Sequence, residues 1–245
     1  MKLCLNLEDV AQRKRYHSAL RRVRDVSLVD EPAEAEAVVT EELSGLTEKP
    51  TLWVCQGKAS MPIPGYPKVI PAMPWRFRPS VQVMIHKLRS GKLGKPGLLR
   101  VHRWHANTDI LADLDLALWL FSEEPRTKHV VQCEGYLQIH LGFASGGMAI
   151  IDHAHEVIGK GYESLTLIGS TGATYADDHR NVQLLLGPTS CTGLTTGEGD
   201  VVTLSAMLED FVASVREPQQ ATACLAEFAR AKRLLESMNL EEVVA

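Results

Sequence analysis

The chain has 245 residues, 45% of them hydrophobic and 23% charged, which is enough for one large domain or two small ones with packed cores. Its formal net charge of -4 at pH 7, with both signs interspersed, argues against broad electrostatic binding to nucleic acid or to an anionic membrane. No apolar run reaches about 18 residues, which argues against a membrane span. The five cysteines have neither metal nor redox spacing, and Met1–Leu5 is typical of a strand rather than a leader, so we expect a cytoplasmic protein with reduced thiols.

The first 75 residues predict a shortened Rossmann-like domain. In chain order the predicted elements are a strand at 2–7, a helix at 8–24, and strands at 26–30, 37–40, 52–55 and 68–73. The helix should bury its periodic apolar residues, which are Val10, Tyr16, Leu20 and Val23. Too few residues separate the later strands for the usual crossover helices, and the proline-rich stretch 59–67 predicts a loop. At least one connection must therefore be short or irregular.

From about residue 76 the pattern becomes that of an α+β domain with a large, mostly antiparallel sheet. The predicted helices lie at 80–90, 112–122, 201–216 and 219–237, and the predicted strands at 98–105, 128–134, 136–143, 148–155, 162–169 and 181–186. Long alternating strands joined by glycine turns are typical of such a sheet. We therefore predict an α/β chain with two domains, residues 1–75 and 76–245.

Four segments of the chain resemble the Gfo/Idh/MocA family of nicotinamide-dependent oxidoreductases, in the family's order from about residue 75 to the end. They are Trp75–Pro79, Ser90–Pro96, Asp113–Leu120 and Leu167–Ala173. The resemblance implies a Rossmann domain that binds NAD or NADP, and a second α/β domain whose open sheet face commonly forms a subunit interface. It also implies hydride transfer at a sugar or polyol carbon, assisted by a Glu-Lys-Pro lysine and an Asp-x-x-x-His pair.

The residues at the cofactor turn differ from those that the resemblance implies. Glycines in that turn let the backbone approach the pyrophosphate at the helix N-terminus. Here Asn6 and Glu8 stand at the glycine positions and Ala11 at the final small position, and the carboxylates of Glu8 and Asp9 would repel a dinucleotide. Asp30, about 20 residues downstream, stands where an acidic ribose ligand is expected. We interpret it as a relic of lost cofactor binding.

The catalytic positions that the resemblance implies also differ. Ala112 stands where the family has its histidine, and Thr108 where the paired aspartate is expected. Losing a general acid or base typically lowers the rate by about 10²–10⁴-fold. If the chain is active, the candidates are Asp113 together with Lys58 or Lys49. Lys49 lies in a literal Glu-Lys-Pro tripeptide that precedes its strand, whereas Lys58 follows that strand, as the family lysine does.

Other carboxylates at the start of this helix are expected to serve the structure. Asp109 is a further substitute for the missing histidine, but a carboxylate needs a raised pKa to exchange protons near pH 7, and the sequence does not provide for one. Asp113 and Asp115 are expected to cap or solvate the start of the helix.

Strand alternation divides the second sheet into two faces. Leu137, Ile139, Leu141 and Phe143 should face the helices. The opposite face should present Arg100, His102, Trp104, Tyr136, Gln138 and His140. A face that mixes aromatic residues, histidine and arginine is larger than a monomer normally exposes, and it predicts self-association into a dimer or tetramer.

The nine histidines raise the question of a metal site. His153 and His155 lie on one face of a predicted strand, and His102 and His140 lie on neighbouring strands. No cysteine or carboxylate cluster at ligand spacing accompanies them. We therefore expect no metal.

These observations favour a pseudoenzyme that has lost NAD(P) binding and hydride transfer, needs no cofactor, and acts as an oligomeric scaffold or binding protein for a protein or a small sugar-like ligand. The alternative is an NAD(P)-dependent sugar or polyol dehydrogenase with a shortened cofactor domain. A third hypothesis is a different, metal-assisted activity in the old substrate cleft. Bound dinucleotide would favour the dehydrogenase, and tightly bound zinc the third hypothesis.

Overall fold

The computed structural model describes residues 1–43, 49–55, 68–104, 109–154, 162–177, 199–216 and 218–238. The chain forms two compact units. The first comprises Met1–Pro79 with Gly197–Arg233, and the second comprises Ser80–Thr196 with Leu234–Ala245. The predicted domains, 1–75 and 76–245, differ from this division because most of the two closing helices belongs to the first unit.

Strands and helices together form a mixed α/β chain, as predicted. They are β1 (Lys2–Asn6), α1 (Val10–Leu20), β2 (Ser27–Val29), β3 (Ala37–Thr40), β4 (Thr51–Trp53), β5 (Val69–Pro71), α2 (Pro79–Arg89), β6 (Pro96–Trp104), α3 (Ile110–Phe121), β7 (Pro125–Cys133), β8 (Tyr136–Phe143), β9 (Met148–Ala154), β10 (Tyr162–Gly169), β11 (Ala173–Asp177), α4 (Gly199–Val215) and α5 (Pro218–Glu236). The predicted strand at 181–186 and the predicted loop at 59–67 lie outside the described residues. Strand β11, a five-residue strand that pairs with β10, is absent from the predicted elements.

Five parallel strands form the sheet of the first unit, in the order β2-β1-β3-β4-β5. The connection from β1 to β2 contains the full helix α1. The connection from β2 to β3 contains only a three-residue 3-10 helix at Pro32–Glu34. The prediction of a short connection is therefore confirmed.

Helices α1 and α4 cover one face of this parallel sheet. Their apolar side chains share a single core with those of the strands, which includes Leu3, Leu7, Tyr16, Leu20, Val23, Val39, Leu52, Leu204, Met207, Leu208 and Phe211. Burial is thus confirmed for three of the four helix residues predicted to be inward. The prediction for Val10 is wrong: it is 62% exposed, because α1 begins at this residue and no earlier turn covers it.

Helix α5 packs on the opposite side of β4. Trp53 follows Leu52 on the strand and therefore points to the other face of the sheet. Its ring centroid lies 5.8 Å from that of Phe228 in an edge-to-face contact, and both side chains are 2% exposed. Buried Arg76 pairs with Glu227 of the same helix. Helix α5, which lies far from β4 in the sequence, thus covers the surface of the parallel sheet at that strand.

Six strands form the sheet of the second unit, in the order β11-β10-β6-β9-β8-β7. Strands β6 and β9 are parallel and every other pair is antiparallel, so the prediction of a mostly antiparallel sheet is confirmed. The alternate residues of β8 that were expected to face the helices are all buried. One of them, Phe143, stacks on Phe121 of α3 with ring centroids 4.2 Å apart. Helix α3 therefore packs against this buried face.

Two of the four segments that resemble the family contact each other at one end of β10. The N–H of Ser170 donates to the carbonyl of Lys95 (2.9 Å), and the N–H of Lys95 donates to Ser170 Oγ (3.0 Å). A Cβ added at Gly169 would lie 2.0 Å from the carbonyl oxygen of Leu93, so only glycine fits there. These contacts hold the two segments against each other.

Candidate functional site

In the turn between β1 and α1, backbone N–H groups donate hydrogen bonds to carboxylate side chains of the chain itself. Asp9 is the N-cap of α1, and its Oδ1 accepts hydrogen bonds from the N–H groups of Ala11 (2.7 Å) and Gln12 (3.3 Å). The N–H of Glu8 donates to Oε2 of Glu41 (3.2 Å). Carboxylates are favourable here because the first turn of a helix has unsatisfied N–H groups and the positive end of the dipole. In a Rossmann turn the same groups bind the pyrophosphate.

The other residues at the positions that correspond to the family's cofactor site also contact the chain itself. Leu7 is completely buried, and its carbonyl accepts a hydrogen bond from Arg13 Nε (2.8 Å). The side-chain amide of Asn6 donates to Thr40 Oγ1 (3.4 Å). Asp30 is exposed just beyond β2. The structure thus brings Asn6, Glu8 and Ala11 together around one turn, but places a leucine side chain in the core between two of them.

Lys49 is held by backbone carbonyls. Its Nζ donates to the carbonyl oxygens of Pro32 (2.7 Å), Ala33 (2.8 Å) and Ala35 (2.7 Å). An ammonium group has three N–H donors, and these bonds use all three. Lys49 therefore stabilises the end of the short helix that joins β2 to β3. The other candidate lysine, Lys58, lies outside the described residues.

At the start of α3, Asp109 is the capping residue. Its Oδ1 accepts a hydrogen bond from the N–H of Ala112 (3.1 Å), and burial raises the pKa of its carboxyl group. Thr108 is not among the described residues. The prediction that Asp113 and Asp115 cap or solvate the helix is wrong, because α3 is buried along nearly its whole length and both side chains are only 1% exposed.

Asp113 lies at the centre of a buried charged network. Arg103 Nη2 lies 2.8 Å from its Oδ1, Arg103 Nε contacts both carboxylate oxygens, and His153 Nε2 lies 2.8 Å from Oδ2. Arg103 also pairs with Glu163. Burial alone would raise the pKa of Asp113, but the charge of Arg103 and the hydrogen bonds from His153 and Arg103 hold it below its usual range. Asp113 is therefore an ionised anchor between α3, β6 and β9, and a poor proton donor.

The face of the six-stranded sheet opposite α3, here called the open face, presents all six residues predicted for an oligomer interface. Strand pairing places Arg100, His102, Trp104, Tyr136, Gln138 and His140 on it. None of the six is classified as buried. The predicted division of the sheet into two faces therefore agrees with the structure.

A buried carboxylate, Asp152, lies at the centre of the open face. It is 1% exposed, and its Oδ1 accepts hydrogen bonds from Tyr136 Oη (3.1 Å) and from the Gln138 amide. Its Oδ2 lies 3.0 Å from His102 Nδ1 and 3.5 Å from Arg100 Nε. Burial lowers the pKa of His102 more than the charge of Asp152 raises it. This polar cluster joins β6, β8 and β9.

Large apolar side chains surround the polar cluster on the open face. Strand pairing places five on this face, with exposed fractions from 39% to 60%: Trp104, Val131, Met148, Ile168 and Tyr175. Exposed apolar side chains that cluster on one surface often mark a site of protein contact. The open face therefore combines exposed apolar side chains with a buried polar centre.

The histidines considered for a metal site do not converge. His153 lies on the buried face with Asp113, whereas His102 lies on the open face with Asp152. His155 is outside the described part of the chain. Within that part, no group of three or more His, Cys, Asp or Glu side chains could hold a metal ion.

Sequence reasoning missed Arg103 and Glu41, and it did not predict the bonds of Asp152. A signal for Arg103 was available: alternation on β6 places it on the same face as Leu99 and Val101, both fully buried. A buried cation requires a buried acid. Asp113 was the nearest apolar-flanked carboxylate in sequence. Glu41 offers no such signal, because its contact with Glu8 depends on how β1 and β3 pair.

No family model and no curated protein matches this sequence. Solved structures match its fold. A myo-inositol dehydrogenase from Corynebacterium glutamicum aligns over 97% of this chain and 96% of its own, with a TM-score of 0.69 and 14% identity. UDP-N-acetylglucosamine 3-dehydrogenase GnnA from Acidithiobacillus ferrooxidans aligns over 100% and 97%, with a TM-score of 0.68 and 13% identity. GenD2 from gentamicin A biosynthesis, solved in complex with NAD, aligns over 95% and 93%, with a TM-score of 0.63 and 12% identity.

These likenesses concern the fold. None of the described helices is long and apolar enough to cross a membrane. The first unit has the parallel sheet and the β1-α1-β2 start of a Rossmann-like domain, and the second has the large mixed sheet with α3 on one face. The resemblance found in the sequence is therefore confirmed in the structure: the chain has the fold of the Gfo/Idh/MocA-type dehydrogenases.

Proposed function

We propose that this chain is a pseudoenzyme with the Gfo/Idh/MocA fold, which neither binds NAD(P) nor transfers hydride and acts as a self-associating scaffold or binding protein. The observation behind this proposal is the N-cap of α1. Asp9 already accepts the N–H groups of Ala11 and Gln12, which a pyrophosphate would need. A dinucleotide would have to displace this carboxylate and then lie beside its charge, and like charges at short range repel. The residues of the turn therefore fit a pyrophosphate poorly.

The residues at the catalytic positions support the same proposal. Ala112 has no titratable group, and it is buried at the start of α3. Its neighbour Asp113 is enclosed by Arg103 and His153, so it is neither accessible nor easily protonated. Lys49 has all three of its donors bonded to carbonyls. Each described candidate for proton transfer is thus bound in a structural contact.

The alternative function is that of an NAD(P)-dependent sugar or polyol dehydrogenase. Its support is the fold, since the matching structures include myo-inositol dehydrogenases and one protein solved with NAD bound. It would require Asp9 to move away from the first turn of α1 when the cofactor binds. It would also require Lys58 or Lys49, together with Asp113, to assist hydride transfer in place of the family's residues. The two proposals differ most directly in cofactor binding.

The open face is the proposed site of self-association, through contact with the same face of a second copy. At its centre the charge of Arg100 is paired with that of Asp152, 3.5 Å away. Two identical faces can therefore meet around a two-fold axis without strong repulsion, and such self-complementary contacts are the commonest in oligomers. Its five exposed apolar residues would be removed from water in that contact. A protein or a small sugar-like ligand would then bind elsewhere on the assembled chains.

Two negative charges on the open face should dissociate the oligomer. In the double variant Tyr136→Glu/His140→Glu, identical faces would bring unpaired carboxylates together in a desolvated contact, and the dissociation constant should rise about 100-fold or more. Sedimentation equilibrium measures this change. The matched control is Gln132→Glu/His86→Glu, which adds the same charges at two exposed positions away from the open face. Unchanged sedimentation of the first variant would show that the interface lies elsewhere.

A further inference from the structure

We propose that Asp152 determines whether two open faces can associate, because its buried charge neutralises Arg100 and its oxygens orient the polar side chains around it. This inference rests on the self-association proposed above and names the residue on which that contact depends. The side chain of Asp152 is 1% exposed, whereas that of Arg100 is 50% exposed. Association would cover the exposed half of Arg100, and a cation that loses its water needs a counter-ion close by.

The surroundings of Arg100 on the open face provide one close counter-ion. Its Nε lies 3.5 Å from Asp152 Oδ2 on the adjacent strand. The residues directly opposite Arg100 on its two neighbouring strands are Thr166 and Ile150, which carry no charge. Strand register also places Asp177 on this face, but its backbone lies two strands away from that of Arg100, about 10 Å or more. Among the described residues of this face, Asp152 is therefore the carboxylate in contact with Arg100.

The other carboxylate oxygen of Asp152 fixes the donors and acceptors that the open face presents. Oδ1 accepts hydrogen bonds from Tyr136 Oη (3.1 Å) and from the Gln138 amide. An ionised carboxylate only accepts, so Gln138 directs its Nε2 towards Asp152 and its Oε1 towards His140 Nε2, 2.8 Å away. Asp152 thus holds side chains of β8 in one arrangement before association, which reduces the conformational entropy lost when the interface forms.

In a two-fold contact the pair of Asp152 and Arg100 occurs twice. If either residue is made neutral, each copy brings one unpaired charge of the same sign into a region with little water. Removing one member of a desolvated charge pair is unfavourable mainly because the other charge stays behind. Removing both members leaves no unpaired charge. The two substitutions together should therefore weaken association less than either one alone.

Sedimentation equilibrium of the full chain tests this proposal with three variants. Asp152→Asn and Arg100→Gln each leave one charge unpaired, and each should raise the dissociation constant about 30-fold or more. The double variant Asp152→Asn/Arg100→Gln has no charge at either position and keeps amides that can form hydrogen bonds. Its dissociation constant should return to within about tenfold of that of the wild type, since the effects of residues in contact are not additive.

Matched controls remove the same kinds of charge outside the open face. Arg21→Gln and Glu34→Gln change exposed residues of the first unit, and neither should alter the dissociation constant by more than about threefold. Circular dichroism and thermal unfolding show whether each variant is folded. Because Arg100 is exposed, Arg100→Gln should fold even if Asp152→Asn does not, and this variant alone must still weaken association.

The outcomes separate this proposal from the self-association on which it rests. Weaker association of both single variants, with recovery in the double variant, is the expected result. Single variants that associate as the wild type does would overturn the role of Asp152 and leave self-association intact. A double variant weaker than either single variant would show that the two residues contribute independently, which would also overturn it. A wild type that is monomeric at every concentration would contradict self-association itself, and with it this proposal.

Discussion

Replacing Asp113 with alanine is expected to lower the free energy of unfolding of the second unit by about 3–5 kcal/mol, because it leaves Arg103 buried without its main counter-ion. His153, which is fully buried, would lose its hydrogen bond to Asp113 at the same time. Urea unfolding followed by circular dichroism measures this loss. A loss of this size would identify Asp113 as a structural residue that anchors α3 to the sheet.

The stability of the folded chain should also depend on pH through Asp113. The pKa of Asp113 is lower in the folded chain than in the unfolded chain, so the unfolded state binds the proton more readily. Its contribution to stability is therefore complete above the unfolded aspartate pKa of about 3.9 and is lost as the pH falls below it. Asp113→Ala should reduce the stability difference between about pH 6 and about pH 3.

A matched variant separates this network from a general effect of removing charge. Glu163→Gln removes the second, more exposed partner of Arg103, and it should cost only about 1 kcal/mol because solvent can replace that contact. If Asp113→Ala leaves stability unchanged but abolishes a dehydrogenase activity, Asp113 is a catalytic acid or base and the structural account of it is wrong.

Replacing Phe228 with alanine is expected to destabilise the first unit by about 3–5 kcal/mol, the usual range for removing a buried aromatic side chain. Phe228 contacts Trp53 from α5, so its removal opens a cavity against the parallel sheet. Intrinsic tryptophan fluorescence and thermal unfolding both report on this contact. The result would show that Phe228 of α5, far from β4 in the sequence, stabilises the parallel sheet through Trp53.

The control for this variant lies on the same helix. Arg233 is exposed, and Arg233→Ala should change the stability by less than about 0.5 kcal/mol. Equal effects of the two substitutions would show that α5 contributes by its helical propensity and does not cover β4 through Phe228.

Local periodicity predicted most strands and helices, because it depends on neighbouring residues alone. On β8 the alternation of Leu137, Ile139 and Leu141 with polar residues identified the buried face, and it therefore identified the open face as well. The two-unit division was less predictable. The apolar stripe of α4 predicts that the helix packs against another element. Only the folded chain shows that this element is the parallel sheet, whose core includes Leu208 and Phe211.

Properties of the candidate site that depend on residue type could be predicted from the sequence. Properties that depend on which side chains meet in the folded chain could not. Ala112 has no titratable group in any environment, so the absence of an acid or base at this position could be predicted from the sequence. The burial of Asp113 did not, since a carboxylate in the first turn of a helix is usually a solvated one. Its environment results from Arg103 on β6 and His153 on β9, which the sheet brings together. Similarly, Lys49 matched a family tripeptide, while its actual partners are three carbonyls.

Titration of NADH and NADPH into the purified chain tests the proposed loss of cofactor binding most directly, with nicotinamide fluorescence and thermal stability followed together. A ligand present at 100 times its Kd would stabilise the folded chain by about 2.7 kcal/mol, which shifts the melting temperature by several degrees. Because Asp9 occupies the N–H groups of the first turn of α1, we expect no change in either signal up to millimolar cofactor. Saturable stabilisation by either nucleotide would contradict the pseudoenzyme proposal and establish the dehydrogenase alternative as the one to pursue with sugar and polyol substrates.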